Sequence, residues 1–279
     1  MNIDAHQHFW RYDPAQYGWI DESMPALRRD FLPAELKPEL ERNNFQGCVA
    51  VQACHTLEET RWLLRLAEEN PFILGVVGWV DLRSAQVRED LAALANNPKL
   101  VGVRHVVQAE RDDRFLLQPD FLRGITALEE FDLAYDILIY PKHLSVATEF
   151  VSRFPRHRFV LDHLAKPLIK QASLQPWYGQ LKQLASFRNV FCKLSGLVTE
   201  ADWQHWTPEH LTPYLDAAFE YFGVERLMIG SDWPVCTLAA NYTRTMDAVK
   251  NYLKNYPADA RAAVLGGTAA RFWKLNLPA

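Results

Sequence analysis

Two histidines separated by one residue, His6 and His8 in the run Asp4-Ala-His6-Gln-His8-Phe9, stand within the first ten residues of the chain. The segment reads as a β-strand, and residues two apart on a strand point to the same face. Two neutral imidazoles side by side can hold one metal ion, or bind and polarise one substrate, because imidazole is both a ligand and a hydrogen-bond partner near neutral pH. Alone, so short a motif fits a pair of structural histidines equally well. Its weight comes from other polar and aromatic residues that end other apolar segments: Gln52, Trp79, Arg104 with His105, Tyr140, Asp162 with His163, Lys193 with Ser195, and Asp232 followed by Trp233. Each taken singly has an ordinary explanation, as a solvated rim charge, a core aromatic or a structural histidine. Gathered on one ring, they point to a site.

The elements that would gather them are legible in the spacing. A short apolar segment recurs about every 25 to 30 residues, and an amphipathic stretch usually follows it. Eight strands are predicted over Ile3–Phe9, Cys48–Ala53, Ile73–Val80, Leu100–Val107, Leu133–Tyr140, Phe159–Leu164, Val190–Ser195 and Leu227–Asp232. Helices are predicted between them over Thr56–Asn70, Ser84–Ala95, Pro119–Glu130, Leu144–Arg153, Trp177–Ala185, Pro208–Phe222 and Asn241–Tyr252, with a last helix over Ala258–Trp273. Alternating strands and helices argue for a parallel sheet with helical crossovers. Eight such units match a single (β/α)8 TIM barrel spanning residues 1–279, whose chemistry belongs at the carboxyl ends of the strands, where the polar residues fall. An open doubly wound sheet is the alternative, but no glycine-rich phosphate loop follows any strand. Residues 11–44, with Trp19, Pro25 and Pro33, form a long loop excursion expected to lie over the barrel mouth. Adjacent strand residues point oppositely, so one of Arg104 and His105, and one of Asp162 and His163, should face the barrel axis.

Composition excludes several classes. A chain of 279 residues with 49% hydrophobic content can bury a large core. The 30 Lys and Arg against 34 Asp and Glu leave no basic excess for nucleic acid, so a small molecule is the expected partner. Cys48, Cys54, Cys192 and Cys236 form no CxxC pair, which disfavours a disulfide framework or a thiolate zinc site and suits reduced thiols in the cytoplasm. No apolar run approaches the roughly 20 residues needed to span a bilayer, and Asp4, His6 and His8 stand where a signal peptide would need an apolar core.

Four motifs in strand order carry a resemblance: Asp4-Ala-His6-Gln-His8-Phe9-Trp10, Leu161-Asp162-His163-Leu164-Ala165-Lys166-Pro167, Cys192-Lys193-Leu194-Ser195-Gly196 and Gly230-Ser231-Asp232-Trp233-Pro234. Over residues 3 to about 273 the chain resembles the amidohydrolase superfamily, and within it the amidohydrolase 2 branch that contains sugar-lactone hydrolases. Gly102-Val-Arg-His-Val-Val-Gln108, followed by Asp112-Asp-Arg-Phe115, is similar to the L-fuconolactonase and L-rhamnonolactonase type of member. The resemblance implies a (β/α)8 hydrolase whose reaction centre is formed by His6, His8, His163 and Asp232. Binuclear members of the superfamily place a bridging Lys or Glu on strand four and a His ligand on strand five. Here strand four offers Arg104 and His105, and strand five offers no His, so two metals are not expected. A single zinc on His6, His8 and Asp232, with or without His163, is chemically sound because three protein ligands plus water make an open catalytic site. Metal-independent catalysis is the other option, since some members of this branch work without metal.

Opening a lactone needs an activated water, a stabilised tetrahedral oxyanion and a proton for the departing alkoxide. Asp232 is the expected general base. His163, joined by His6 and His8 if no metal is present, would polarise the carbonyl, and Arg104 or His105 would hold the oxyanion or a substrate hydroxyl. Gln52, Trp79, Tyr140 and Trp233 are expected to contact a sugar-derived ring. The competing reading is a metal-dependent amidohydrolase or decarboxylase acting on an aromatic or dicarboxylic compound; Arg104 alone at a strand end is few cations for such a substrate. A non-catalytic binding barrel is disfavoured by the intact His pair and Asp232.

Overall fold

The computed structural model describes residues 1–277. Eight parallel strands run in sequence order: β1 (Ile3–Gln7), β2 (Gly47–Val51), β3 (Ile73–Gly78), β4 (Leu100–Val106), β5 (Ala134–Leu138), β6 (Phe159–Leu161), β7 (Val190–Leu194) and β8 (Leu227–Ile229). Just past β8, Asp232 N–H donates to His6 O at 2.8 Å and His8 N–H donates to Trp233 O at 2.7 Å. These two bonds join the last strand to the first, so the sheet is the expected (β/α)8 barrel. The strands are runs of Val, Ile, Leu and Ala because nearly every strand position is buried on both faces of the sheet.

Helices cover the outside: α1 (Pro33–Arg42), α2 (Leu57–Glu69), α3 (Val87–Ala95), α4 (Pro119–Glu130), α5 (Leu144–Ser152), α6 (Trp177–Ala185), the single turn α7 (Leu197–Glu200), α8 (Pro208–Phe222) and α9 (Tyr242–Leu253). Pro33, Pro119 and Pro208 open their helices at the first position, where a missing N–H breaks no helical bond. Thr56 caps α2 by accepting Glu59 N–H at 3.1 Å, and Asn241 caps α9 by accepting Arg244 N–H at 2.8 Å. On α2 the residues Leu63, Leu64 and Ala67 are buried, the face that the periodicity predicts.

Three expectations are corrected. The strands end up to three residues earlier than predicted, because their last residues leave the ladder to build the barrel mouth. His163, Leu164, Ala165, Lys166 and Asp232 all adopt left-handed φ between 51° and 58°, a conformation that costs an L-residue roughly 1–2 kcal/mol. The excursion over residues 11–44 is not loop throughout: α1 is its crossover helix, with Leu36 and Leu40 inward, and Pro38 within it interrupts the helical pattern. The last helix is three pieces, α10 (Ala258–Ala262), a π-turn (Ala263–Gly267) and α11 (Thr268–Phe272). The break allows the N-terminus to pass: a Cβ on Gly266 would stand 2.3 Å from Met1 O.

Two apolar clusters result. The larger fills the space between strands and helices. The smaller gathers Ile3, Ala5, Val49, Val51, Val77, Ala134, Val160 and Met228 against Phe272 and Trp273. It fills the barrel interior and closes the end away from the mouth. Among the described residues no helix is long and apolar enough to cross a membrane.

Candidate active site

Above that apolar floor the barrel interior turns polar. Lys193 on β7 is fully buried, with its ammonium 5.1 Å from the Trp273 ring centroid. It donates to Asp136 of β5, stands 2.9 Å from Asp162 Oδ1 and reaches His6 Nδ1 at 3.1 Å. Arg104 of β4 donates to Asp162 Oδ2 at 3.0 Å and to Gln52 Oε1 at 2.7 Å. Two buried cations thus bracket one buried carboxylate. Burial opposes ionisation of Asp162, yet Lys193, His6 and Arg104 together hold its pKa well below the ordinary range.

One layer higher, four groups converge on the mouth. His6 Nε2 and His8 Nε2 are 3.1 Å apart, and Asp232 Oδ1 lies 3.3 Å from His8 Nε2, 3.6 Å from His6 Nε2 and 3.9 Å from His163 Nε2. The His8 tautomer follows from its partner: Nδ1–H donates to Val51 O at 2.8 Å, so Nε2 turns toward Asp232 without a proton of the neutral ring. A lone pair facing a carboxylate oxygen is favourable only with a cation between them, either a shared proton or a metal ion. Donor atoms about 2.0–2.1 Å from a tetrahedral zinc lie roughly 3.3 Å apart, and the three edges of the His6–His8–Asp232 triangle bracket that value. A second cluster, His6 with Asp162 and His163, shares His6 with the first, and there Asp162 is already committed to Lys193 and Arg104. The donor set fits one divalent ion.

His163 is set by the strained turn after β6 and by β7. Ser195 Oγ is 2.9 Å from its Nδ1. Gly196, at φ 66°, lets the chain pass the ring, since a Cβ there would stand 2.6 Å from His163 Nδ1. Burial pushes the His163 pKa down to about 4 despite the carboxylates of Asp232 and Asp162, so the ring is neutral. For Asp232, burial opposes ionisation, but the imidazoles around it, His163 first and then His8 and His6, hold the carboxyl well below its usual range. A carboxylate, two neutral imidazoles and a histidine sharing a cation with that carboxylate can together take a proton from water and polarise a carbonyl.

These groups open into a cavity of about 630 Å³ lined by His8, Arg104, His163 and Asp232, with Trp19 and Met24 of the excursion over it. The amidohydrolase family model matches residues 3–275. The chain belongs to the amidohydrolase family. A relative from Burkholderia multivorans called L-fucono-1,5-lactonase is 42% identical over 100% of this chain and 98% of its own length. One of the same name from Burkholderia ambifaria is 40% identical, covering 100% and 97%. The crystal structure of an amidohydrolase from Burkholderia multivorans with bound zinc superposes with a TM-score of 0.96 at 42% identity, covering 99% of this chain and 100% of that one.

In this amidohydrolase the structure brings His6, His8, His163 and Asp232 together as the sequence predicts. Both Asp162 and His163 enter the interior, contrary to the expected either-or, because the left-handed turn at His163 breaks the strand alternation. Arg104, not His105, faces inward. Of the expected substrate contacts, Arg104 and Tyr140 line the cavity, and Tyr140 is 40% exposed at its rim. Gln52 does not: it is spent on Arg104. His105 points away, paired to Glu110 at 2.7 Å and to the Trp79 indole N–H at 3.3 Å. Trp233 packs beneath the excursion on Phe9 and Phe31. Sequence reasoning missed Lys193 and Asp136 as a pair, although a lone Lys in Val-Phe-Cys-Lys193-Leu and a lone Asp in Ala-Tyr-Asp136-Ile-Leu were the available signal. It also missed His55 and Lys166 of the cavity wall, which sit on loops without periodicity, and Glu200, which ends the single turn α7.

Proposed function

We infer that this amidohydrolase is a sugar-lactone hydrolase, opening an aldonolactone such as L-fuconolactone or L-rhamnonolactone to the aldonic acid. The observation that carries the reading is the floor of the cavity, where one carboxylate and three imidazoles converge while no cationic side chain of the lining is left unpaired for a charged substrate. Arg104 is saturated by Asp162 and Gln52, and Lys166 has Glu200 at 3.6 Å. Burying an uncompensated carboxylate costs several kcal/mol, so a substrate that stays neutral until its ring opens is favoured over a dicarboxylic one. The names of the relatives at 40% and 42% identity support the same chemistry.

In the proposed mechanism the lactone carbonyl carbon sits over Asp232, which takes a proton from the attacking water as the new C–O bond forms. His163, with Ser195 O–H donating to its Nδ1, presents Nε2–H to the developing oxyanion. Collapse of the tetrahedral intermediate breaks the bond to the ring oxygen, and in this reading Asp232 returns its proton to that alkoxide. The product acid then ionises. His6, His8 and Asp232 would hold a zinc ion, which supplies Lewis acidity and a more acidic water. Beneath them, Lys193 and Arg104 fix His6 and Asp162. We expect at most one divalent ion per chain by elemental analysis. The reading places the reaction in the cytoplasm, consistent with four free and buried cysteines.

The test is proton release on a panel of aldonolactones and a dicarboxylic lactone near pH 7. The expected result is preference for a neutral six-carbon lactone, 6-deoxy sugars included. Preference for the dicarboxylic compound by more than about tenfold, roughly 1.4 kcal/mol in transition-state binding, would overturn it.

A further inference from the structure

The cavity wall under β2 and β4 carries a histidine that the chemistry above does not use. His55 follows β2, lines the cavity and is half-buried. Its Nε2 accepts the backbone N–H of Val106 at 3.1 Å. A backbone amide can only donate, so Nε2 holds a lone pair, and a neutral ring must then carry its proton on Nδ1. Neutrality is secured by burial first, then by His105 and Arg104, which push the pKa down to about 3. The ring is also held in place. It stacks on Trp79 at 5.5 Å with 13° between planes, and on His105 at 4.4 Å with 29°. His105 stacks in turn on Phe115 at 4.7 Å and is tethered to Glu110 at 2.7 Å. Among the described residues nothing accepts from His55 Nδ1, and that atom is not one of the sealed, unpartnered polar atoms of the interior. It belongs to a ring that lines the cavity.

We propose that His55 is a specificity-determining residue whose fixed Nδ1–H donates to one hydroxyl of the bound lactone. This rests on the lactone-hydrolase reading and deepens it. The donor carries no charge, so it suits a neutral oxygen rather than a carboxylate. Its geometry is set before the substrate arrives, and an analogue without the hydroxyl would leave the N–H without a partner in a desolvated site. The opposite wall, from β6 and α7, offers Lys166 and Glu200, paired to one another. The β2 and β4 wall is therefore where the substrate's ring substituents are read, while the carbonyl lies over His8, His163 and Asp232.

Two measurements on the intact protein test this. Turnover of L-fuconolactone by the wild type is established first; if no lactone is turned over, the lactone reading fails and the proposal fails with it. The parent lactone and analogues each lacking one hydroxyl are then compared with wild type and His55→Phe, which keeps a flat ring for the stack. The proposal expects kcat/KM on the parent to fall about ten- to a hundredfold, chiefly through KM. It expects one analogue to be poor for the wild type and no poorer for the variant, and the KM penalty to stay constant between about pH 5.5 and 8.5. Equal losses on every analogue, or no loss on the parent, would overturn it. Independently, nitrogen NMR of the His55 ring should place the proton on Nδ1 in the wild type; a proton on Nε2 would overturn it even if lactones are hydrolysed.

Discussion

At one end of the barrel, Phe272 and Trp273 close an apolar interior of Ile, Val, Leu, Ala and Met side chains. At the other end, within the same eight strands, Arg104, Asp136, Asp162, Lys193 and His6 are all buried, and five non-glycine residues around them hold left-handed backbone. The closed end is packed dry and apolar. The open end carries desolvated charge and backbone strain of several kcal/mol in total. The contrast teaches that the apolar end supplies the stability that lets the mouth hold groups no folding criterion would select.

Substitutions at the two ends should therefore separate activity from stability. The largest effect is expected for Asp232→Asn, which keeps the shape but cannot take a proton from water: turnover should fall by about three powers of ten or more, on the order of 4 kcal/mol, with little change in Tm. Activity near wild type would remove Asp232 from the mechanism. Next comes Lys193→Met, which leaves Asp136 and Asp162 buried without their shared cation. Breaking a buried pair costs about 3–5 kcal/mol, so Tm should drop by roughly 10 °C; a drop under about 2 °C in a thermal melt would show that the network is not what holds the mouth together. At the closed end, Phe272→Ala should cost about 3 kcal/mol of stability in urea and leave kcat/KM within about twofold. Loss of activity there without loss of stability would break the division between the two ends.

The smallest effect concerns pH. Glu59 accepts the N–H groups of Ala53 and Cys54 and the Tyr17 hydroxyl, tying the excursion to the cavity wall. Burial dominates these bonds and raises its pKa to about 7. A carboxyl raised above its unfolded value contributes stability that is present below about pH 4.5 and lost as pH rises through about 7. Melts of wild type and Glu59→Gln should diverge between pH 5 and 8, the wild type losing a few degrees relative to the variant. Parallel curves would contradict the assignment.

The fold was legible because the eight strands and most crossovers obey periodicity, and the helices Pro119–Glu130, Trp177–Ala185 and Pro208–Phe222 fall where predicted, whereas α1, with Pro38 inside it, did not show. The four groups that meet at the mouth were legible because His6, His8, His163 and Asp232 end strands. What escaped has two causes. At Asp162 and His163 the alternation rule fails where a left-handed turn aims both inward. Gln52, Trp79, His105 and Trp233 end strands as well, yet their side chains are taken by Arg104, by the His55 stack and by the excursion, which are contacts between distant segments that no local pattern encodes. His55 itself is placed by the Val106 amide, 51 residues away in sequence.

The central claim is that water, activated by Asp232, attacks the lactone carbonyl. A single turnover with enzyme in excess over L-fuconolactone in oxygen-18 water tests it directly. The account predicts one labelled oxygen in the product carboxylate, the ring-derived hydroxyl unlabelled and Asp232 unlabelled. Unlabelled product from that first turnover with the label found in Asp232, the mark of a nucleophilic carboxylate, or label in the ring-derived hydroxyl, would contradict it.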